Sequence, residues 1–401
     1  MNGSLKFAAP LVLAFAFAGC NAGSMSSVPA QGGQSVAPTN QISLSQSLQG
    51  RRACPGSRTG GKMQCDAIVE RDGVMSPDVA GWAPSSFQAR YNLPITKGAG
   101  QVVAIVDAFD NPNVASDLAA YRTEFGLGTA NFTKYNQTGQ QGNYPQGNSG
   151  WGVEIDLDVE MVSASCPLCT IYLIEANDNY TNNLYAAELE AVKLGATIVS
   201  NSWGGGGGSS SGGAFDQPGV TYLASAGDGG YGTFDPSDYS TVVSVGGTVL
   251  SKAGSPPVYS EVVWPLSGGG CSVVAKPSWQ HDPKCSKRTD NDTSAVAAGV
   301  AEYDTYQEHG WITIGGTSVS SPLVAGMFGL AANSTKQDGG KNIWMLKKKK
   351  KKKDFNYISS GKVNGCPASL QGTYLCQAGT NQYGRYSGPA GWGTPNGVGG
   401  L

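Results

Sequence analysis

Histidine and charge are both scarce in this sequence. Its 401 residues include only two histidines, His281 and His309, and only 14% of the residues are charged. The net charge of −2 gives no indication of a nucleic-acid partner. The apolar run at 7–18 is too short to cross a bilayer as a mature helix. Acid–base chemistry in this chain therefore depends on two histidines or on carboxylates.

The N-terminus has the features of an export signal. Lys6 precedes the apolar run, and Ala18-Gly19-Cys20 resembles a bacterial lipobox, in which the cysteine is lipidated after cleavage. We expect residues 1–20 to be a signal peptide with Cys20 lipidated at the bacterial cell envelope; an ordinary secretory signal is the alternative. Residues 21–80 are expected to be a flexible tether, rich in small and polar residues, followed by a short disulfide-containing segment.

The remaining eight cysteines predict local disulfides, since an exported chain is oxidised. Their order along the chain indicates Cys54–Cys65, Cys166–Cys169, Cys271–Cys285 and Cys366–Cys376. The C-x-x-C at 166–169 is also the spacing of a redox motif. No thioredoxin-like strand and helix surround it, and no second Cys or His pair is present for zinc, so we predict a structural disulfide.

Buried strands alternate with helices along most of the chain. Apolar runs predict strands at 101–107, 170–174, 197–200, 220–224 and 242–245, and helices are predicted at 85–91, 113–125, 152–165, 182–194 and 318–333. This alternation predicts an α/β fold with a parallel sheet and helices on both faces. Asp107, Ser202 and Asp228 directly follow strands, so we expect them at the carboxyl edge of the sheet, where ligands bind.

The stretch 315–333 places a serine at the start of a helix built from small apolar residues. At a helix N-terminus, the N–H groups and the dipole stabilise negative charge beside Ser318, although a simple N-cap is the alternative. Pro322 is expected in the first turn. The segment G-T-S-V-S-S-P at 316–322 resembles the nucleophile motif of subtilisins and sedolisins (serine-carboxyl peptidases), which share one fold and use different bases.

Neither histidine suits the role of base that a serine nucleophile requires. His281 and His309 lack the His-Gly-Thr context that subtilisins use, although Asp107 resembles the strand-end aspartate of subtilisins. Carboxylates are the remaining candidates for the base.

Glu154 and Asp158 are four residues apart and share one helix face, where a shared proton would relieve their repulsion. The alternative is a solvated acidic face. E-I-D-L-D at 154–158 resembles the sedolisin pattern, which implies that Glu154 is the general base toward Ser318 and that Asp158 is its proton-sharing partner.

The loop A-S-A-G-D-G-G at 224–230 resembles the oxyanion-hole loop of sedolisins, which implies that role for Asp228. From the residues alone, Asp228 is equally a turn residue before two glycines. As an oxyanion donor it must hold a proton, unlike an ordinary Asp with a pKa of about 3.9. Similar segments at 199–204, 243–248 and 391–397 extend the resemblance over about 81–401 and imply a subtilisin-like peptidase domain.

Several segments depart from the family pattern. Only residues 21–80 precede the domain, where sedolisins carry a long folded propeptide. Two aspartate positions of the family's calcium site are Tyr357 and Ser387, with Asp354 nearby, so calcium binding is not expected unless other oxygens rebuild the site. The glycine-serine tract at 204–213 is expected to be mobile. The lysine run at 347–353 is expected to be a solvated, unstructured insertion loop, with contact to an anionic surface as the alternative.

Together these features predict an exported, monomeric serine-type endopeptidase that hydrolyses proteins or peptides at acidic pH. Its site would consist of Ser318, Glu154, Asp158 and Asp228. Apart from the calcium that the resemblance leaves possible, no cofactor is expected. A catalytically inactive envelope binding protein of the same fold is the alternative.

Overall fold

The structure, a computed structural model, describes residues 50–74, 79–206, 213–306, 308–333 and 338–401, and only the backbone over 71–74. These residues fall within the unit Asn40–Leu401. The predicted signal peptide, the tether at 21–48 and most of the glycine-serine tract lie outside the described residues. Within the described part, no helix is long and apolar enough to cross a membrane.

Strands and helices alternate as predicted, with ends that differ from the prediction by a few residues. The strands are β1 (Arg51–Arg52), β2 (Gln64–Cys65), β3 (Ile68–Val74), β4 (Val102–Ala108), β5 (Asn131–Asn136), β6 (Thr170–Ala176), β7 (Ile198–Asn201), β8 (Trp203–Gly204), β9 (Thr221–Ser225), β10 (Val242–Ala253), β11 (Val258–Val263), β12 (Gly270–Ala275), β13 (Lys287–Asp290), β14 (Thr293–Val296), β15 (Val300–Asp304), β16 (Gly310–Gly315), β17 (Phe355–Asn356) and β18 (Thr394–Pro395). The helices are α1 (Pro84–Arg90), α2 (Val114–Glu124), α3 (Ser149–Ser165), α4 (Thr181–Lys193), α5 (Thr317–Ala331), α6 (Lys341–Met345) and α7 (Lys348–Asp354).

The central sheet has eight strands, in the order β11-β10-β9-β7-β4-β6-β5 with β14 beside β10. All of its pairs are parallel except β10 with β11. Its inner strands are buried on both faces, as their continuous apolar sequences predict. Helices α3 and α5 pack together and against the sheet, and α4 packs on β4 and β6 from the other face. The carboxyl ends of β4, β7 and β9 therefore lie side by side.

Helix α3 carries four acids, yet every side chain from Trp151 to Ser165 is buried. The helix begins at an Asn148 cap, whose side chain accepts hydrogen bonds from the N–H groups of Gly150 and Trp151. The alternative of a solvated acidic face is therefore wrong. Tertiary packing on several sides, with α1, α2 and α5 as well as the sheet, buries this helix completely.

Pro322 lies in the second turn of α5, not in the first turn as expected. Proline has no N–H, so the Ser318 carbonyl lacks its usual partner four residues ahead. That oxygen instead accepts a hydrogen bond from Ser202 Oγ at 3.4 Å. The hydrogen bond that is missing inside the helix is therefore replaced by one that links the start of α5 to Ser202, the residue after β7.

The lysine run is helical, which corrects the expectation of an unstructured loop. Lys348–Asp354 forms α7, since lysine is a good helix former and one member of the run is anchored. Lys351 Nζ donates to the Trp344 carbonyl at 2.6 Å and lies 3.4 Å from the centre of the Trp392 ring. Burial of this ammonium lowers the pKa of Lys351 to about 8.

The N-terminal segment 50–74 is built into the fold. Strand β3 lies in a second sheet of order β1-β3-β16-β15, and β2 pairs with β8. The Cys54–Cys65 disulfide joins this segment to itself. The other three predicted disulfides are also formed, so the cysteine pairing is confirmed.

Candidate active site

Ser318 is the second residue of α5 and is fully buried. Its Oγ donates to the Ser202 carbonyl at 3.3 Å, just beyond the carboxyl end of β7. The chain reaches this point from β16, which ends at Gly315 and is followed by Gly316. Gly316 has φ +128°, a conformation that suits glycine. The serine therefore meets the helix N-terminus and the carboxyl edge of the sheet in one place.

Glu154 and Asp158 approach Ser318 from α3, and both are fully buried. Burial raises the pKa of Glu154 well above its usual range; the Asp158 and Asp107 carboxylates raise it further, and the Ser318 hydroxyl offsets part of the rise. Burial and Asp107 likewise raise the pKa of Asp158, against its hydrogen bond from Ser202 Oγ at 2.7 Å. The two acids therefore hold protons well above the pH at which exposed carboxyls lose them.

Asp107 completes this group of acids from the end of β4. It is fully buried, neither of its oxygens has a hydrogen-bond partner among the described residues, and burial raises the pKa of Asp107 to about 8. The sequence predicted its position at the sheet edge but not its approach to α3. The sequence signal for this approach was an acidic residue at the end of a buried strand.

Asp228 lies on the other side of the α5 N-terminus, after β9. Its Oδ1 accepts hydrogen bonds from Thr317 N at 2.8 Å and Thr317 Oγ1 at 2.9 Å, while Oδ2 has no partner in the described structure. Burial and the Asp66 carboxylate raise the pKa of Asp228 to about 8, against the Thr317 bonds and Arg52. Asp228 is thus a protonated acid at acidic and neutral pH, with one oxygen free to donate.

The two histidines lie outside this arrangement. His309 is exposed immediately before β16, and the six residues of that strand span about 20 Å before the chain reaches the glycines that precede Ser318. His281 is exposed in the connection between β12 and β13. Carboxyls, not imidazoles, surround the serine.

Asp66 is a further acid at the site that the sequence did not indicate. It is fully buried and accepts hydrogen bonds from Arg58 and from Ser225 Oγ, the latter at 2.9 Å. Its carboxylate raises the pKa of both Glu154 and Asp228. The short disulfide-containing segment, for which no role at the site was predicted, therefore contributes a charge to the site.

The residues at the expected calcium positions do not fit a calcium site. The Tyr357 hydroxyl bonds Asn381 at 3.2 Å, and Ser387 offers an uncharged hydroxyl. Among the described residues, the carboxylates that approach one another closely enough for a metal belong to Asp117, Asp156 and Asp304, within 4.8 Å. None of these three belongs to the expected calcium site.

Comparisons with known proteins identify the family and the fold. The model of the Subtilase family (Peptidase S8) matches residues 138–392, a range that includes all four predicted site residues. Thermitase from Thermoactinomyces vulgaris is 25% identical over 261 residues, which cover 63% of this chain and 82% of thermitase. A solved structure of Pseudomonas sedolisin, a serine-carboxyl proteinase complexed with two molecules of pseudo-iodotyrostatin, has a TM-score of 0.64 at 23% identity. The match covers 80% of this chain and 96% of the sedolisin chain.

The fold is therefore subtilisin-like, as predicted, with a central parallel sheet and helices on both faces. The family match spans more than half of the chain, and the serine at the α5 N-terminus lies inside it. The chain belongs to the subtilase family of serine peptidases.

Proposed function

We propose that this subtilase is a serine-carboxyl endopeptidase with Ser318 as nucleophile and Glu154 as general base. The observation that carries the proposal is the surroundings of Ser318: Glu154, Asp158 and Asp228 lie around it, and both histidines lie elsewhere. A serine hydroxyl needs a neighbouring base to attack a peptide carbonyl. Glu154 is near enough for the Ser318 hydroxyl to lower its pKa, and both of its oxygens lack a hydrogen-bond partner among the described residues, so they are available to accept the serine proton.

In this mechanism Glu154 takes the Ser318 proton as Oγ attacks the peptide carbonyl, and later gives it to the leaving amine. Asp158 shares a proton with Glu154 and is oriented by Ser202. Asp228 donates from Oδ2 to the oxyanion, together with N–H groups at the start of α5. Water then hydrolyses the acyl-enzyme by the same proton transfers in reverse order.

The proposed roles require Glu154 without its proton and Asp228 with its proton. Activity should therefore end as pH rises through the pKa of Asp228, which is about 8 in this structure. A cleft that is open to a substrate is also open to water in the free enzyme, and hydration lowers the pKa of a buried carboxyl. The upper limb should accordingly fall below 8, with a maximum on the acid side.

Replacement of Ser318 by Ala and of Glu154 by Gln tests the assignment. Each change should abolish most hydrolysis of a fluorogenic peptide, and the double variant should be little worse, because these residues act as a unit. His281→Ala and His309→Ala are the matched controls and should retain activity. Loss of turnover in a folded histidine variant contradicts the carboxylate base. Unchanged hydrolysis in Ser318→Ala contradicts the serine mechanism.

We also propose that the enzyme is exported, anchored through lipidated Cys20, and acts as a monomer on protein or peptide substrates. The support for export and for the anchor is the signal-like sequence at 1–20. Metabolic labelling with a fatty-acid probe, compared between the wild type and Cys20→Ala, tests the anchor. An inactive binding protein of the same fold would bind peptides without turnover in both the wild type and Ser318→Ala.

A further inference from the structure

The lysine helix α7 borders a cavity whose lining includes none of the proposed active-site residues. The cavity has a volume of about 290 Å³ and lies between α7 and residues 383–392. Four cations, two aromatic rings, a leucine and a glycine line it: Lys348, Lys351, Lys352, Arg385, Tyr383, Trp392, Leu346 and Gly384. Ligand pockets start at about 300 Å³, so this cavity fits one small chemical group.

Helical spacing brings three lysines to this cavity. Lys348, Lys351 and Lys352, the cavity lysines, are three and four positions apart and therefore share one face of α7. Like charges at this spacing repel one another and destabilise a helix. Arg385 adds a fourth cation from a separate segment, where its guanidinium lies 4.8 Å from the centre of the Tyr357 ring. Two parts of the chain thus concentrate positive charge on one small volume.

The described part of the chain supplies no carboxylate to neutralise this charge. The cavity lysines form no ion pair with any described residue. Asp354, the acid of α7, is buried, and a Cβ on Gly399 would lie 3.1 Å from its Oδ1, so this carboxyl faces the C-terminal residues. Asp292 accepts from the nearby Trp344 indole and is already paired with Arg288. The charge in the cavity is therefore left for an external anion.

Lys351 has the greatest need of such an anion. Its ammonium lies 3.4 Å from the centre of the Trp392 ring and donates to the Trp344 carbonyl at 2.6 Å. Burial lowers the pKa of Lys351 to about 8. A charge that is partly removed from water is stabilised by a neighbouring ion of opposite sign. An anion in the cavity would supply the counter-charge that the described residues do not.

Positive charge and apolar surface both continue around the cavity. Four further lysines are exposed on the same stretch: Lys347, Lys349, Lys350 and Lys353. Met345, which precedes them, is 61% exposed, and Leu346 lines the cavity itself. Lysines beside exposed apolar side chains are typical of surfaces that lie at the headgroup level of anionic membranes. A nucleic acid offers the same charge but no apolar layer for Met345.

We propose that the cavity binds the phosphate group of an anionic phospholipid and that α7 thereby docks this domain on the surface of an anionic bilayer. The cavity lysines and Arg385 bind the phosphate oxygens. Tyr383 and Trp392 contact the carbon atoms of the headgroup, and Met345 enters the boundary of the acyl chains. This docking is independent of the peptidase mechanism and does not require the anchor at Cys20.

Binding to lipid vesicles tests the proposal. The full-length chain carries Cys20→Ala, so that no acyl chain contributes, and sedimentation measures the bound fraction. Vesicles of phosphatidylcholine are compared with vesicles that also contain phosphatidylglycerol. We expect binding to the anionic vesicles that weakens as NaCl is raised, because salt screens exposed charges. The N-terminal region is the same in all forms, so differences between them report on α7.

Two double variants of equal charge distinguish the cavity from general attraction. Lys348→Gln with Lys352→Gln removes two cavity lysines, whereas Lys349→Gln with Lys350→Gln removes two lysines that lie outside the cavity. Each lysine near an anionic surface contributes about fivefold to binding, so the first pair should weaken binding about 25-fold. The second pair should weaken it by at most about fivefold, because its ammoniums lie on other faces of the helix and farther from the bound phosphate.

Equal losses in the two double variants would overturn the assignment of the cavity. Binding that does not distinguish phosphatidylglycerol from phosphatidylcholine would overturn the docking surface. Tighter binding to duplex DNA than to anionic vesicles, lost in the same cavity variant, would assign the surface to nucleic acid instead. Near-ultraviolet circular dichroism of both double variants should match that of the parent, which shows that a loss of binding is not a loss of fold.

Discussion

Replacement of Asp107 by asparagine should stabilise the protein at neutral pH and leave its stability at acid pH nearly unchanged. Asp107 is fully buried, and neither carboxyl oxygen has a hydrogen-bond partner among the described residues. Burial raises the pKa of Asp107 to about 8. At neutral pH the folded protein therefore holds a proton that the unfolded chain, with an Asp pKa of about 3.9, has released.

The magnitude follows from proton linkage. A folded-state pKa above the unfolded value gives stability that is complete below about pH 4 and is lost as pH rises towards 8. Each pH unit in this window costs about 1.36 kcal/mol, so Asp107 costs up to about 4 kcal/mol between pH 4 and pH 7. Asparagine has the same shape and does not titrate. Relative to the parent, the free energy of unfolding should rise by up to this amount across the window.

Urea unfolding followed by tryptophan fluorescence measures the effect at about pH 4 and about pH 7. All variants carry Ser318→Ala, which prevents self-digestion. Asp292→Asn is the matched control, because Asp292 pairs with buried Arg288 at 2.8 Å and accepts from Trp344 Nε1 at 2.7 Å. Removal of one partner of a buried pair should cost about 3–5 kcal/mol at both pH values.

Parallel pH dependences for Asp107→Asn and its parent would refute the reasoning, because they would mean that Asp107 takes up no proton on folding. Destabilisation of Asp107→Asn at both pH values, as in the Asp292 control, would mean that an ionised Asp107 has a stabilising partner. Glu154 and Asp158 respond to the same change, because the Asp107 charge raises the pKa of both, so the comparison measures these interacting acids as a unit.

Further changes test the remaining features. Asp228→Asn keeps a donor without a titrating proton, so a profile of kcat/KM against pH should show lower activity that persists to higher pH; an unshifted upper limb removes Asp228 from the mechanism. EDTA should barely change the melting temperature, because the expected calcium positions are Tyr357 and Ser387; a large drop in differential scanning fluorimetry would contradict this. Lys351→Ala should lower the melting temperature more than the exposed Lys349→Ala, since Lys351 covers the Trp392 ring; equal effects would show that the contacts of Lys351 do not stabilise the protein.

The sequence was sufficient for the sheet, the main helices and the placement of Ser318. Continuous apolar runs such as β4 have few alternatives to a buried parallel strand. The disulfides were predictable because neighbouring cysteines have short loops to close, and the predicted export signal implies an oxidising environment. The roles of Glu154, Asp158 and Asp228 stay predictions, although the geometry brings all three to Ser318.

The pairing of the N-terminal segment with β8 and the lysine helix were not predictable, for different physical reasons. Strand β2 is two residues long, and its pairing with β8 depends on contacts across about 140 positions of sequence, so no local pattern marks it. The lysine run was predicted from its like charges alone. Local repulsion is modest on an exposed helix, and the contacts of Lys351 with two tryptophans outweigh it.

Asp66 should influence the pH range over which the proposed peptidase is active. Its carboxylate raises the pKa of both Glu154 and Asp228. Cleavage in the proposed mechanism needs Glu154 deprotonated and Asp228 protonated. Loss of this charge lowers both pKa values, so both limbs of the pH profile should move to lower pH in Asp66→Asn.

Asparagine keeps an oxygen for Ser225 and gives up the pair with Arg58, so residue 66 should keep its place beside the site. A profile of kcat/KM against pH for a fluorogenic peptide, compared between Asp66→Asn and the parent, measures the shift. Limbs that do not move would mean that Asp66 does not face both acids during turnover.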